Sequence, residues 1–372
     1  MAYKTYKYCL YCSIVLGFML LYQESNAQYN FEKVNGWIKD NLEDLGGRAV
    51  LMIYKDGKII YKQKENDLGK TQKRVGKALA RRAGKNADVI LQDYDFDSKI
   101  AIASCSKWLS AALVMTFIDE GKLNLHDTIG KFLPVMSANG KGNITITDCL
   151  SHLTGIKSGN LKESRELSSS SASMDDAMNM IASQEMEAEP GTAFHYNSVG
   201  LQIAAAVIEK ISGKNFELLF KERIANPCHM LNSDFGNKPV PLPAGGALSS
   251  AADYLNFLEM ILYNGQFNGR MVLSKRSVEL MQEDHTAGKK VIYTPTEAGN
   301  WRYGFGEWLM NNATDGMRSQ AVTSPGLFGT FPWIENKHQY AAVLFTFNFK
   351  SKGRNERYTS LKKLVDAAIT NN

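Results

Sequence analysis

The sequence predicts an α+β protein: an antiparallel sheet built from both chain ends, flanked by helices, with a mostly helical lobe inserted. Three observations carry that prediction. A β-prone hairpin lies early, at Val50 to Tyr54 and Lys58 to Tyr61, around the turn Asp56-Gly57. Runs rich in aromatic and β-branched residues return only after Trp301. Between the two, apolar residues recur at helical spacing. The sheet lobe is therefore expected from 28–103 and about 286–372, and the helical lobe from about 104–285. The chain has 372 residues, 44% hydrophobic and 22% charged, enough apolar material for a large packed core and too much for a disordered chain.

The elements follow in order. Lys4 and Lys7 precede an apolar stretch, Tyr8 to Tyr22, and Ser25-Asn26-Ala27 supplies small residues for cleavage. Residues 1–27 read as a secretory signal cut before Gln28, for a periplasmic or secreted protein. The alternative is an uncleaved anchor, for which the apolar run is short. Phe31, Val34, Trp37, Ile38 and Leu42 set out a helix, and the hairpin follows. From Ser104 to about Asp119 the helix is apolar on most sides, so burial is expected, with Gly121 suited to its end. Thr147 can cap a helix through Leu153, and Ser173 one from Met174 to Ala182. Val199 to Ile211 and Asp253 to Tyr263 are apolar helices closed by Gly213 and Gly265. The Ser-rich Ser168 to Ser173 reads as a surface loop. Arg302 to Met310, Ala321 to Ile334 and Gln339 to Phe347 read as strands, and Glu356 to Ile369 as a closing amphipathic helix.

Charge and cysteine usage narrow the function. Net charge is +5, and the excess is local: Lys62 to Lys85 holds nine Lys or Arg against Glu65 and Asp67. Lys73 to Arg82 suits a basic helix. The segment can bind an anionic polymer or stand as a solvated insertion; no aromatic residue interrupts it as a stacking platform for nucleic acid would need. Cys105, Cys149 and Cys228 are too few and too scattered for a disulfide framework. The six histidines never take a metal-ligand spacing, so no metal or other cofactor is expected.

One short stretch carries chemistry. Ser104 and Lys107 stand three apart at the head of the apolar helix and so share a face. A lysine can act as a base only if its pKa falls well below about 10.4. Burial on an apolar helix does that. Ser104 also starts the helix, where free N–H groups favour negative charge. Ser106 faces away and Cys105 reads as core. The same spacing recurs at Ser360 and Lys363, on a charged helix, where nothing predicts burial. Tyr196, in the loop Pro190 to Ser198 ahead of the apolar helix, can share a proton with Ser104 or can be a packed core tyrosine.

Taken with Ser104-x-x-Lys107, further segments make the chain resemble the serine β-lactamase and penicillin-binding-protein superfamily, in its class C β-lactamase-related branch. They are EGKLNLHDTIGKFLP from Glu120, ITITDCLSHLTGI from Ile144, PGTAFHYNSVG from Pro190 and GGALSSAADYLNFLEMIL from Gly245. The resemblance runs from the first hairpin to the last helix and implies the β-lactamase/transpeptidase-like fold. It implies that Ser104 is an acylated nucleophile and Lys107 its general-base partner. Tyr196 would pass the proton to the leaving group and activate the deacylating water. The third motif aligns on VTSPGLFGTFPW, giving Ser324-Pro325-Gly326. The backbone N–H groups of Ser104 and Leu327 would form the oxyanion hole, and Ser198, Ser324 and Gly326 would bind substrate. Were 324–327 a strand, Leu327 N–H would face the cleft and Gly326 N–H the neighbouring strand, and Pro325 would cost the cleft one donor.

Two positions depart from the family. Ser198 stands where the class C enzymes carry Asn, and Ser324 where the superfamily carries a Lys or His. A β-lactam or D-Ala-terminated peptide brings a carboxylate, which Ser324 cannot meet with charge. Arg318, Arg354 or Arg357 could supply it, and the sequence does not place them. The resemblance implies a serine hydrolase acting through an acyl-enzyme on an ester or amide, as an esterase, a D-aminopeptidase-like amidase of small peptides, or a β-lactamase-like enzyme. The alternative is a weakly active or inactive binder of cell-wall peptides on the same fold. A small molecule or short peptide is the expected substrate. No nucleic acid, and no membrane span after signal cleavage, is expected.

Overall fold

A computed structural model describes residues 29–84, 86–157, 161–310 and 318–371; the expected signal segment and Lys85 lie outside them. The order of elements is helix α1 (Glu32–Asn41), strands β1 (Arg48–Lys55) and β2 (Lys58–Asn66), then the basic helix α2 (Lys70–Ala83). The middle of the chain carries α3 (Ser106–Asp119), α4 (Ile146–Leu150), α5 (Leu161–Ser170), α6 (Met174–Ala182), strand β3 (Ala193–His195), α7 (Val199–Ser212) and α8 (Ala251–Leu262). There follow β4 (Lys290–Tyr293), β5 (Arg302–Tyr303), β6 (Trp308–Leu309), β7 (Ala321–Thr323), β8 (Phe331–Glu335), β9 (Tyr340–Thr346) and helix α9 (Arg354–Thr370).

Seven strands form one antiparallel sheet in the order β2-β1-β9-β8-β7-β6-β5, so the first hairpin is joined edge to edge with the last strand. Both faces are covered, which is why β1 and β9 read as continuous apolar runs. Ala49, Leu51 and Ile53 point to the side packed by α1 and α9, with Trp333, Tyr358, Leu361 and Val365. Val50, Met52 and Tyr54 point the other way, into the core of the helical lobe. Helix α3 runs through that core with every residue from Ser106 to Phe117 buried, Trp108 included.

Several local expectations are corrected. The cap of α4 is Thr145, not Thr147. Its hydroxyl accepts from Asp148 N–H while the Asp148 carboxylate accepts from Thr145 N–H, a capping box that starts the helix at Ile146; the helix ends at Leu150. Ser168 is no surface residue: it is buried in the last turn of α5 and donates to the Val240 carbonyl at 2.6 Å. The run Arg302 to Met310 is two short paired strands, because the chain reverses through Gly304 to Glu307. The run Ala321 to Ile334 is likewise broken, with Ser324 to Thr330 a loop between β7 and β8. Ser173, Gly213 and the Asp56-Gly57 turn stand where expected.

Candidate active site

A cleft of ≈ 480 Å³ opens where the sheet meets the helical lobe. Three chain segments meet in it, and glycines permit their close approach. The first is the nucleophile turn. A single 3₁₀ turn, Ala103 to Cys105, leads into α3, and Ala103 holds φ at +46°, a strained value for a non-glycine residue. The turn is held by Ser106, whose hydroxyl donates to the Ala103 carbonyl and accepts from Ala247 N–H. Ser104 is left half-exposed in the cleft.

Lys107 is 3% exposed. Its Nζ donates to the Ala244 carbonyl at 2.7 Å and to Ser104 Oγ at 3.3 Å, and lies 4.7 Å from the centre of the Tyr196 ring. Burial without a carboxylate lowers its pKa to about 7. Cys105 is wholly buried and its thiol is pushed up by burial, as suits a core residue.

The second segment carries Tyr196. Helix α7 begins just after it and presses Gly200 against α4, where a Cβ would lie 2.1 Å from the Cys149 carbonyl. Tyr196 N–H donates to the Tyr293 carbonyl on the β4 side. Its ring packs 5.0 Å from Trp308. Burial raises the phenol pKa, against a lowering by hydrogen bonding to Ser104. Ser198 lines the cleft beside Asn197, whose side-chain oxygen accepts from Val199 N–H.

The third segment is the β7–β8 loop. Here the strand alternation expected for 324–327 does not apply, since β7 ends at Thr323. The amides are placed by the loop instead. Gly326 N–H donates to the Thr330 carbonyl within the loop. Among the described residues no acceptor meets the N–H of Leu327 or of Ser104. Gly326 lies so close to the nucleophile turn that a Cβ would fall 2.4 Å from the Ile102 carbonyl. Ser324 is not brought to the cleft with them. It is 1% exposed, and its hydroxyl donates to the carbonyls of Gly306 and Ser104 at 2.9 and 3.3 Å. Its role is to tie the β5–β6 reversal to the nucleophile turn.

The cations also sort themselves. Arg354 lines the cleft, yet it is engaged by the carbonyls of Leu327, Asn348 and Lys350, with Glu297 3.6 Å away. Arg318 is held by Gln282 and Asn264, and Arg357 lies 3.6 Å from Asp44. Sequence reasoning missed three residues at the site. His195 lines the cleft and pairs with Glu187. Trp308 forms part of the wall. His152 sits behind Tyr196, its ring centre 4.8 Å away. The sequence signal for His152 was its place in ITITDCLSHLTGI, where the expected helix ran through Leu153.

Comparison with known proteins agrees with this fold. The family model for beta-lactamases matches residues 38–366. Protein Rv1367c of Mycobacterium tuberculosis is 26% identical over 290 residues, 64% of this chain and 72% of that protein. A candidate beta-lactamase from Bacteroides dorei DSM 17855 superposes with a TM-score of 0.75 at 23% identity, over 92% of this chain and 99% of that one. EstCE1, a hydrolase with promiscuous acyltransferase activity, superposes with a TM-score of 0.68 at 18% identity, over 89% and 97% of the two chains.

Proposed function

The chain belongs to the beta-lactamase family, and from that premise we propose that it is a serine hydrolase that forms an acyl-enzyme on Ser104 and cleaves an uncharged ester or amide. The single observation that carries the proposal is Lys107, buried, poised near pKa 7 and within 3.3 Å of Ser104 Oγ. A neutral amine there is a competent base at ordinary pH.

The steps balance as follows. Ser104 Oγ bonds to the substrate carbonyl carbon as its proton passes to Lys107 Nζ. The carbonyl electron pair moves onto oxygen, which the N–H groups of Ser104 and Leu327 receive. Collapse re-forms the carbonyl and breaks the bond to the leaving oxygen or nitrogen, which takes the proton by way of Tyr196. Water then adds to the acyl ester, its proton passing to the Tyr196–Lys107 pair. The second collapse returns a proton to Ser104 and frees the acid.

Substrate charge follows from what surrounds the cleft. A substrate carboxylate finds no free partner at Ser324, Pro325 or Arg354: Ser324 faces inward, Pro325 has no N–H, and Arg354 already serves three carbonyls. Apolar side chains, among them Leu327, Phe328 and Trp308, line the walls. These features support a neutral ester over a β-lactam or a D-Ala-terminated peptide. The fold shared with EstCE1 is compatible with that choice. The test is intact-mass analysis after a fluorophosphonate, followed by kinetics on p-nitrophenyl butyrate and its ω-carboxylate analogue. A Ser104 adduct is expected, with kcat/KM for the neutral ester at least about tenfold higher, a ~1.4 kcal/mol discrimination. No adduct at Ser104 with any acylating probe ends the proposal, and bound peptide without turnover would select the peptide-binding alternative.

A further inference from the structure

His152 occupies a place in the backbone that disfavours it. Helix α4 ends at Leu150, and Leu153 N–H reaches back to the Asp148 carbonyl at 2.9 Å, closing the helix through a left-handed residue between them. That residue is His152, with φ at +61°. Glycine is usual at such a position, and a side chain with a Cβ costs roughly 1 kcal/mol there. The ring is 2% exposed, so it does not gain from water either. A strained, buried, polar side chain persists when its surroundings hold it to a task.

The contacts define the task. The His152 carbonyl accepts from His195 N–H at 3.1 Å. The ring Nδ1 accepts from Asn197 N–H, a long bond of 3.5 Å. One residue therefore grips the backbone immediately before and immediately after Tyr196. Because Nδ1 accepts, the ring proton lies on Nε2, which faces the Tyr303 hydroxyl at 3.1 Å. Tyr303 in turn packs 4.8 Å from Trp308, the other wall of the Tyr196 ring. Charging the imidazole would put two N–H groups face to face at Asn197. Burial, Lys107 and His195 all oppose that charge.

We propose that His152 is a positioning residue, a neutral imidazole that clamps the chain on both sides of Tyr196 and so fixes the phenol against Ser104 and Lys107. The inference rests on the hydrolase reading for its kinetic consequence and on geometry alone for its structural one. It extends the site behind the cleft, to a residue that touches no substrate.

The experiment uses the full chain with His152→Phe, which keeps a flat ring and removes both nitrogen contacts, and His152→Asn. Asparagine tolerates the left-handed backbone, and its amide oxygen can take the Asn197 N–H. Active sites are titrated with a fluorophosphonate, and kcat and KM are measured per titrated site on p-nitrophenyl butyrate. Crystal structures of the wild type and His152→Phe locate the Tyr196 hydroxyl. The expected result is kcat down about 30- to 100-fold in His152→Phe with KM within about twofold, in the range of a mispositioned proton-transfer group. His152→Asn should recover at least about a third of the wild-type rate, and the phenol should be displaced in the Phe variant. The inference is overturned if a folded His152→Phe keeps kcat per site within about threefold. It is equally overturned if only the melting temperature and the active fraction fall, or if Tyr196 stays in place. Should the wild type give no Ser104 adduct, the hydrolase reading fails, and the two crystal structures still decide the role of His152.

Discussion

Ser104-Cys105-Ser106-Lys107 and Ser360-Leu361-Lys362-Lys363 have the same spacing and opposite fates. In the first, the lysine is buried on a mostly apolar helix and points at the serine hydroxyl. In the second, Ser360 accepts from the Trp37 indole and donates to the Arg357 carbonyl, while Lys363 is exposed. Spacing on a helix can only bring two groups to one face. What makes a base of one lysine is the removal of water around it, together with the absence of a carboxylate that would hold its proton.

The largest effect is expected from Ser104→Ala, which should lower ester turnover by about 10³-fold or more, against less than about twofold for Ser360→Ala. Equal losses in the two variants, measured per folded molecule, would erase the distinction between Ser104 and Ser360. Next, Lys107→Met should be comparably inactive and yet more stable near neutral pH. The sign is fixed by linkage. The folded pKa is about 7 and the free value about 10.4, so between them the unfolded chain holds the extra proton. Stability of the wild type therefore rises with pH across that window. The advantage of Lys107→Met should be greatest at or below pH 7 and fade towards pH 10, as urea unfolding at pH 6, 8 and 10 would reveal. For the same reason wild-type turnover should fall as pH drops through about 7.

A smaller effect is expected at Gly326→Ala. The new methyl would meet the Ile102 carbonyl at 2.4 Å and push the loop away from the nucleophile turn. A loss of about 10- to 100-fold in kcat, with KM little changed, would fit displacement of the Leu327 amide. Unchanged kcat would remove Leu327 from the oxyanion site. The smallest effect is stability alone: Thr145→Ala should cost about 1 kcal/mol through loss of the capping box, visible in chemical denaturation and absent from kcat.

Much of this was legible in the sequence. The hairpin declared itself through Asp56-Gly57, and the burial of α3 through residues apolar on most sides. The order of the motifs located Ser104, Lys107 and Tyr196. Thr145 was legible too, through Thr-x-x-Asp, whereas Thr147 lies inside the helix. Other features were not legible, because they depend on partners far along the chain. The Ser324 hydroxyl turns inward to residues 220 and 18 positions away. Arg354 is engaged by loop carbonyls that no local pattern specifies. The left-handed backbone at His152 is a property of how α4 ends, and a histidine there gives no composition or period to read.

The pairing of β1 with β9 has a further consequence. Val50 lies opposite Phe345, so strands from the two ends of the chain must meet before the sheet is continuous. Contacts of such long sequence separation form late and slowly. Leu327 and Arg354 arrive with the same C-terminal stretch. A chain still emerging from the ribosome would hold Ser104 and Lys107 without the amide of Leu327. On the proposed hydrolase reading, catalysis would be the last property the molecule acquires, and its onset would time the closure of the fold.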